Sequence, residues 1–161
     1  MGSSSKYLEQ FDRVKRWHQR FVIIDQGRKH DHPSDYYQDE VYAFFQNCHH
    51  LKDWIINDES VGVNKKKVEE FISNNEELCL CADICNGTKH LRLMRKPRSN
   101  QAPQFGQRKF KVRLGEPETS ISVKYSIDTL SGSVDALELA TKCLQDWGNF
   151  IQQNINDEAS A

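Results

Sequence analysis

Apolar runs long enough to cross a bilayer are missing from this sequence. No stretch approaches the roughly 18 residues that a membrane helix needs, so the reading excludes a membrane partner. No apolar h-region follows Met-Gly-Ser-Ser-Ser-Lys, and Lys6 stands where a myristoylation site wants Ser or Thr. A cytoplasmic protein is therefore the expectation. P-loop, G-x-G-x-x-G, G-x-S-x-G and H-E-x-x-H patterns are all absent, so the sequence carries no nucleotide-cradle, nucleophile-elbow or zincin signature. Cysteines number only five (Cys48, Cys79, Cys81, Cys85, Cys143), an odd count without CxxC spacing. All five fall in apolar-periodic segments and read as small buried hydrophobes of a reduced protein.

Acids are missing from one long stretch. Lys89 to Arg113 holds nine basic residues and neither Asp nor Glu, although the whole chain has a net charge of only −1. The remaining residues hold all 23 acids against 13 basic residues, a balance of −10. Such asymmetry points to a surface that meets a polyanion, or else to a well-solvated loop and hairpin. Its members are Lys89, Arg92, Arg95, Lys96, Arg98, Arg108, Lys109, Lys111 and Arg113, and all but Lys89 are taken as candidate nucleic-acid contacts.

At 161 residues with sixteen aromatics, the chain fits one folded domain over 1–161. The spacing predicts a helix over Tyr7–Ile24 closed by Gly27, and a second starting at Ser34 as cap. The second helix presents Tyr37, Val41, Phe44, Cys48, Leu51 and Ile55 at alternating four- and three-residue steps. A short third helix follows Asn64, and a fourth runs from about Glu76 to Met94. Beyond a connector bracketed by Pro97 and Pro103 the period changes to two. Phe110, Val112 and Leu114 alternate with cations, and Ile121, Val123, Tyr125 and Ile127 alternate with Ser and Lys124, which predicts a β-hairpin inserted over 104–128. Asp135 with Glu138 forms a capping box for a last helix. The expected fold is mainly α: a bundle of four to five helices with a β-hairpin inserted before the last one.

Chemistry concentrates on the fourth helix. Leu80, Ile84, Gly87 and Leu91 form its core stripe, and Asp83, Asn86 and His90 a polar stripe beside it. Polar side chains beside a core stripe either hold structural hydrogen bonds or line a site. Gly87 in mid-helix costs about 1 kcal/mol against alanine, which implies that something uses the space it leaves. The second helix offers Asn47, His49, His50 and Asp53, with one of the two histidines facing the fourth helix. No Glu-x-x-His pair occurs, so neither metal nor other cofactor is expected.

The bundle and the stretch Cys85-Asn86-Gly87-Thr88-Lys89-His90 resemble the HEPN domains of prokaryotic defence and toxin systems. The motif of that family is Arg, a polar residue, a short spacer and His; here Asn86 and His90 match, and Cys85 takes the Arg place. The resemblance implies metal-independent RNA cleavage and a homodimer. On that reading His90 moves protons, with His50 as a further member of the site. Lys89 stabilises charge, Asn86 orients, and Asp83 fixes the His90 tautomer. Two other readings compete: a non-catalytic bundle that holds nucleic acid or an acidic partner through 89–113, and a small-molecule or nucleotide pocket between helices two and four.

Overall fold

The computed structural model describes residues 5–90, 95–115 and 119–155. Five helices, α1 (Lys6–Gln26), α2 (Ser34–Asn57), α3 (Lys65–Ser73), α4 (Glu76–His90) and α5 (Ala136–Asn154), pack with four strands. The strands are β1 (Arg28–Lys29), β2 (Gln104–Arg113), β3 (Ser120–Thr129) and β4 (Gly132–Asp135). Among the described residues, no helix is long and apolar enough to cross a membrane.

The expected helical bundle with an inserted hairpin is thereby corrected to a mixed α/β fold with a four-stranded antiparallel sheet. β3 lies at its centre, paired to β2 along one edge and to both β1 and β4 along the other. The two extra strands have two and four residues, too short for a period-two pattern to register. Nor is the hairpin an appendage. Val123, Tyr125 and Ile127 of β3 enter the same core as Phe21, Phe44, Phe45 and Trp147.

Capping follows the sequence in most places. The Asn64 side chain accepts from Lys66 N–H at 2.7 Å and Asp135 from Glu138 N–H at 3.0 Å. Gly27, at φ +119°, closes α1. Ser34 departs from expectation: it is the first residue of α2, and Pro33 holds the cap position without a side-chain bond. The start of α1 is capped from a distance, where Asp58 Oδ2 at the end of α2 accepts from Tyr7 N–H at 2.9 Å. Burial alone would raise the Asp58 pKa, but hydrogen bonds from Ser60 and the α1 backbone pull it below the usual carboxylate value.

α4 is the central helix. Every residue from Leu78 to Cys85 is buried, because α2, α3 and α5 surround its first two turns. Small side chains suit that position: Cys81 Sγ reaches the Phe45 carbonyl at 3.4 Å, and Cys143 Sγ the Glu77 carbonyl at 3.3 Å. All five thiols are free and buried. Phe44, Cys48, Leu51, Leu80 and Ile84 share one core as expected, while Leu91 lies outside the described residues.

A bulge in β2 sets the hairpin's faces. Phe105 pairs with Ile127 and Arg108 with Tyr125, so two residues of β2 oppose Ser126 alone. One is Gly106, where a Cβ would stand 2.5 Å from the Asp128 carboxylate oxygens. The bulge restores phase: Phe105, Arg108, Phe110 and Val112 share the inner face with Ile127, Tyr125, Val123 and Ile121. Lys109, Lys111 and Arg113 are thereby turned outward.

Candidate nucleic-acid interface and the α4 cleft

Asp83 does not face a catalytic histidine. Its side chain is 3% exposed and turned to the connector after α4. Oδ1 accepts from Arg98 N–H at 2.7 Å, and Oδ2 accepts from Ser99 N–H at 2.8 Å and from the Ser99 hydroxyl. The expected role of fixing the His90 tautomer is thus replaced by a clasp, since both oxygens are committed to the connector. Arg98 is committed too. Its guanidinium pairs with the Glu69 carboxylate at 2.9 Å and donates to the Glu69 carbonyl and the Ser73 hydroxyl. It belongs to this clasp rather than to a polyanion surface.

Asn86, Lys89 and His90 are exposed in the last turns of α4, and none has a hydrogen bond among the described residues. Seven residues separate His90 from Asp83, so the two share one side of the helix. Cys85, facing another direction, brings in His50: Sγ lies 3.8 Å from Nε2. Burial raises the Cys85 thiol to about 11, so it stays protonated beside His50. The neighbouring His49 is partly buried. Burial, followed by Lys52 and His50, lowers its pKa to about 4. No group of three or more His, Cys, Asp or Glu among the described residues is arranged to hold a metal ion.

His49 makes stability pH-dependent. Its folded pKa lies below the unfolded value, so its contribution is complete above about pH 6.5 and is lost as pH falls toward 4. The expected loss at pH 5 is about 2 kcal/mol. Asp146, raised to about 6 by burial and by Glu77, works in the opposite sense over the same range. The check is therefore a melting series from pH 7 to 5 on the parent and His49→Gln. The variant should lose less stability on acidification; identical slopes would refute the assignment.

On another side of α4 a cleft of about 650 Å³ opens toward α2 and the connector. Ile84, Gly87 and Thr88 form its α4 wall, Tyr42 its α2 wall, and Pro97, Ala102 and Pro103 the connector wall. Gln104 and Phe105 at the root of β2 and Arg95 complete the lining. A Cβ on Gly87 would meet nothing within 4 Å, so the glycine leaves open space here. Ala102 has φ +44° and Asn100 φ +58°. A left-handed alanine costs about 1–2 kcal/mol, and its neighbours hold it there. Asp83 holds 98–99, while Gln101 accepts from Leu130 N–H through its carbonyl and from Ser131 through its side chain.

The basic stretch divides into separate groups. Arg92 lies outside the described residues; Arg95 and Lys96 are exposed near the cleft. Arg108 sits on the inner sheet face and donates to Gln38 Oε1 of α2 at 2.8 Å. Lys109, Lys111 and Arg113 line the outer face and have no ion pair among the described residues. The expectation of one continuous positive face is corrected in this way, because the bulge and the clasp each withdraw an arginine. The face gains what the sequence reading passed over. Lys124 stands directly opposite Lys109, and Ser122 and Ser120 stand opposite Lys111 and Arg113. Among the described residues, only Lys124 of this face is in an ion pair, with Asp25 at 3.4 Å. The signal was there in the phase of β3, where Lys124 alternates with serines against Val123 and Tyr125.

Comparison with protein-family models, with curated proteins and with solved structures returns no match for this chain.

Proposed function

We propose that this protein binds single-stranded RNA on the outer face of the β2–β3 hairpin. The observation that carries the reading is the Lys109–Lys124 pair. Like charges directly opposite in a sheet are destabilising, and Lys111 and Arg113 continue the row along β2. Charges that only guarded the free edge of β2 would not need a lysine on its partner strand. A phosphate chain relieves the repulsion. Alternate residues on a strand lie about 6.6–6.8 Å apart, a step that suits an extended phosphate backbone, and Ser120 opposite Arg113 adds a hydroxyl.

A second reading, metal-independent cleavage of the bound strand, draws on the exposed Asn86, Lys89 and His90, whose side chains have no hydrogen bond among the described residues. It departs from the HEPN pattern at Cys85, which is buried against His50 and offers no cation to a phosphate. Lys89 would then supply the charge and His90 the proton transfer.

One experiment addresses both readings. A fluorescein-labelled single-stranded RNA is titrated with the protein in EDTA at low salt, and the RNA is recovered afterwards for sizing. Saturable binding is expected, and its absence rejects the proposal. Cleavage that His90→Ala abolishes without weakening binding supports the second reading. Intact RNA, or cleavage unchanged by His90→Ala, rejects it.

A further inference from the structure

We infer that the α4 cleft is a site for a nucleobase carrying a phosphate. The inference deepens the RNA reading and rests on it only where the base belongs to a bound strand; a free nucleotide would need the cleft alone. Volume is the first observation. About 650 Å³ lies within the range of small-ligand sites and exceeds what packing defects leave in a protein of this size.

Chemistry is the second. No acid is among the described lining residues, and the cation Arg95, which has no ion pair among the described residues, stands beside the cleft. An anionic ligand is thereby favoured over a cationic one. Flat walls favour a planar group. The Tyr42 and Phe105 rings lie 4.6 Å apart between centroids, and Phe105 in turn packs against Phe45. Tyr42 is fixed at its far end, where its hydroxyl accepts from Gln38, which is itself held by Arg108. The Gln104 amide supplies hydrogen-bonding groups for a base edge, and Thr88 Oγ1, which donates to the Cys85 carbonyl and accepts from Gln46, keeps one lone pair as an acceptor.

Preorganisation is the third. The connector wall is held in a left-handed backbone at Ala102, between the Asp83 clasp on one side and the β3–β4 turn on the other. Strain of this kind, maintained by hydrogen bonds on both sides, keeps a wall in place where free collapse onto Ile84 would close the space. Gly87 contributes by leaving its flank of the helix bare. One strand serves both features: Gln104 and Phe105 of β2 line the cleft, and Lys109, Lys111 and Arg113 follow further along it on the other face of the sheet.

The test is Gly87→Leu. The added side chain has room to enter the cleft, and leucine is the better helix former, so the variant should melt at or above the parent temperature. Parent and variant are titrated by calorimetry with each of the four ribonucleoside 5′-monophosphates, and by anisotropy with single-stranded RNA. Loss of about tenfold or more in either affinity supports the inference. Loss confined to mononucleotides assigns the cleft to a free nucleotide; loss confined to RNA assigns it to a base of the strand. Mononucleotide binding without any RNA binding keeps the cleft and rejects the RNA reading. Neither ligand weakened by Gly87→Leu, or no ligand bound at all, overturns it. Should Gly87→Leu melt lower than the parent, Thr88→Val takes its place, read out by the same two titrations with the same criteria.

Discussion

Asp83→Ala is expected to lower the stability of the protein by about 3 kcal/mol and its melting temperature by about 6–12 °C. The side chain accepts three hydrogen bonds in a buried setting, two of them from backbone N–H groups of Arg98 and Ser99. Bonds to a charged acceptor contribute about 1.5–3 kcal/mol each, and the three are coupled, so the total falls short of their sum. Truncation leaves both N–H groups without an acceptor, and the connector has to move to find water for them. Asp83→Asn should cost nearly as much, since its amide NH₂ would face donors on one side. A second readout separates this clasp from generic core loss. Released from Asp83, the 95–99 segment should be cut by trypsin after Arg95 and Arg98, the Lys96–Pro97 bond being resistant, well before global unfolding. A melting temperature within 2 °C of the parent, estimated against the same scale, together with unchanged cleavage at these sites, would contradict the clasp.

The helices were legible because their signals are local. The four- and three-residue steps of α2, the Asn64 and Asp135 caps and the Gly27 terminus need no knowledge of the rest of the chain. The sheet was only half legible. β3 carries a period-two pattern over its ten residues and β2 does so beyond its bulge, from Arg108 to Arg113, but Arg28–Lys29 and Gly132–Asp135 become strands only because β3 offers them an edge.

The site divides in the same way. A helical wheel correctly aligns Asp83 with His90, yet cannot say that the connector folds back to occupy Asp83. That pairing spans fifteen residues and depends on tertiary contact. The bulge at Gly106 escaped for a related reason: a strict alternation from Phe105 would place Phe110 on the opposite face, and only the observed register shows that it does not. Gly87 was noticed as a costly residue in mid-helix. What it leaves open could be seen only once Tyr42 and Phe105 stood across from it.

Removing the cations of β2 is expected to have the largest effect on binding. Each phosphate contact on a single strand contributes about −0.7 to the slope of log affinity against log salt. Contacts from Lys109, Lys111, Arg113 and Lys124 together give a slope of about −2.8, so a fourfold rise in salt weakens binding about fiftyfold. The triple variant Lys109→Ala/Lys111→Ala/Arg113→Ala retains one contact, with a slope of about −0.7 and a loss of about threefold over the same range. These side chains are exposed and have no ion pair among the described residues, so the fold should survive the change with a melting temperature close to that of the parent. The most direct measurement is therefore a salt titration of single-stranded RNA binding on the parent and the triple variant side by side. A slope that flattens by about two in the variant is the expected result; equal slopes, or an affinity indifferent to salt in the parent, would show that the cations of β2 do not hold phosphates.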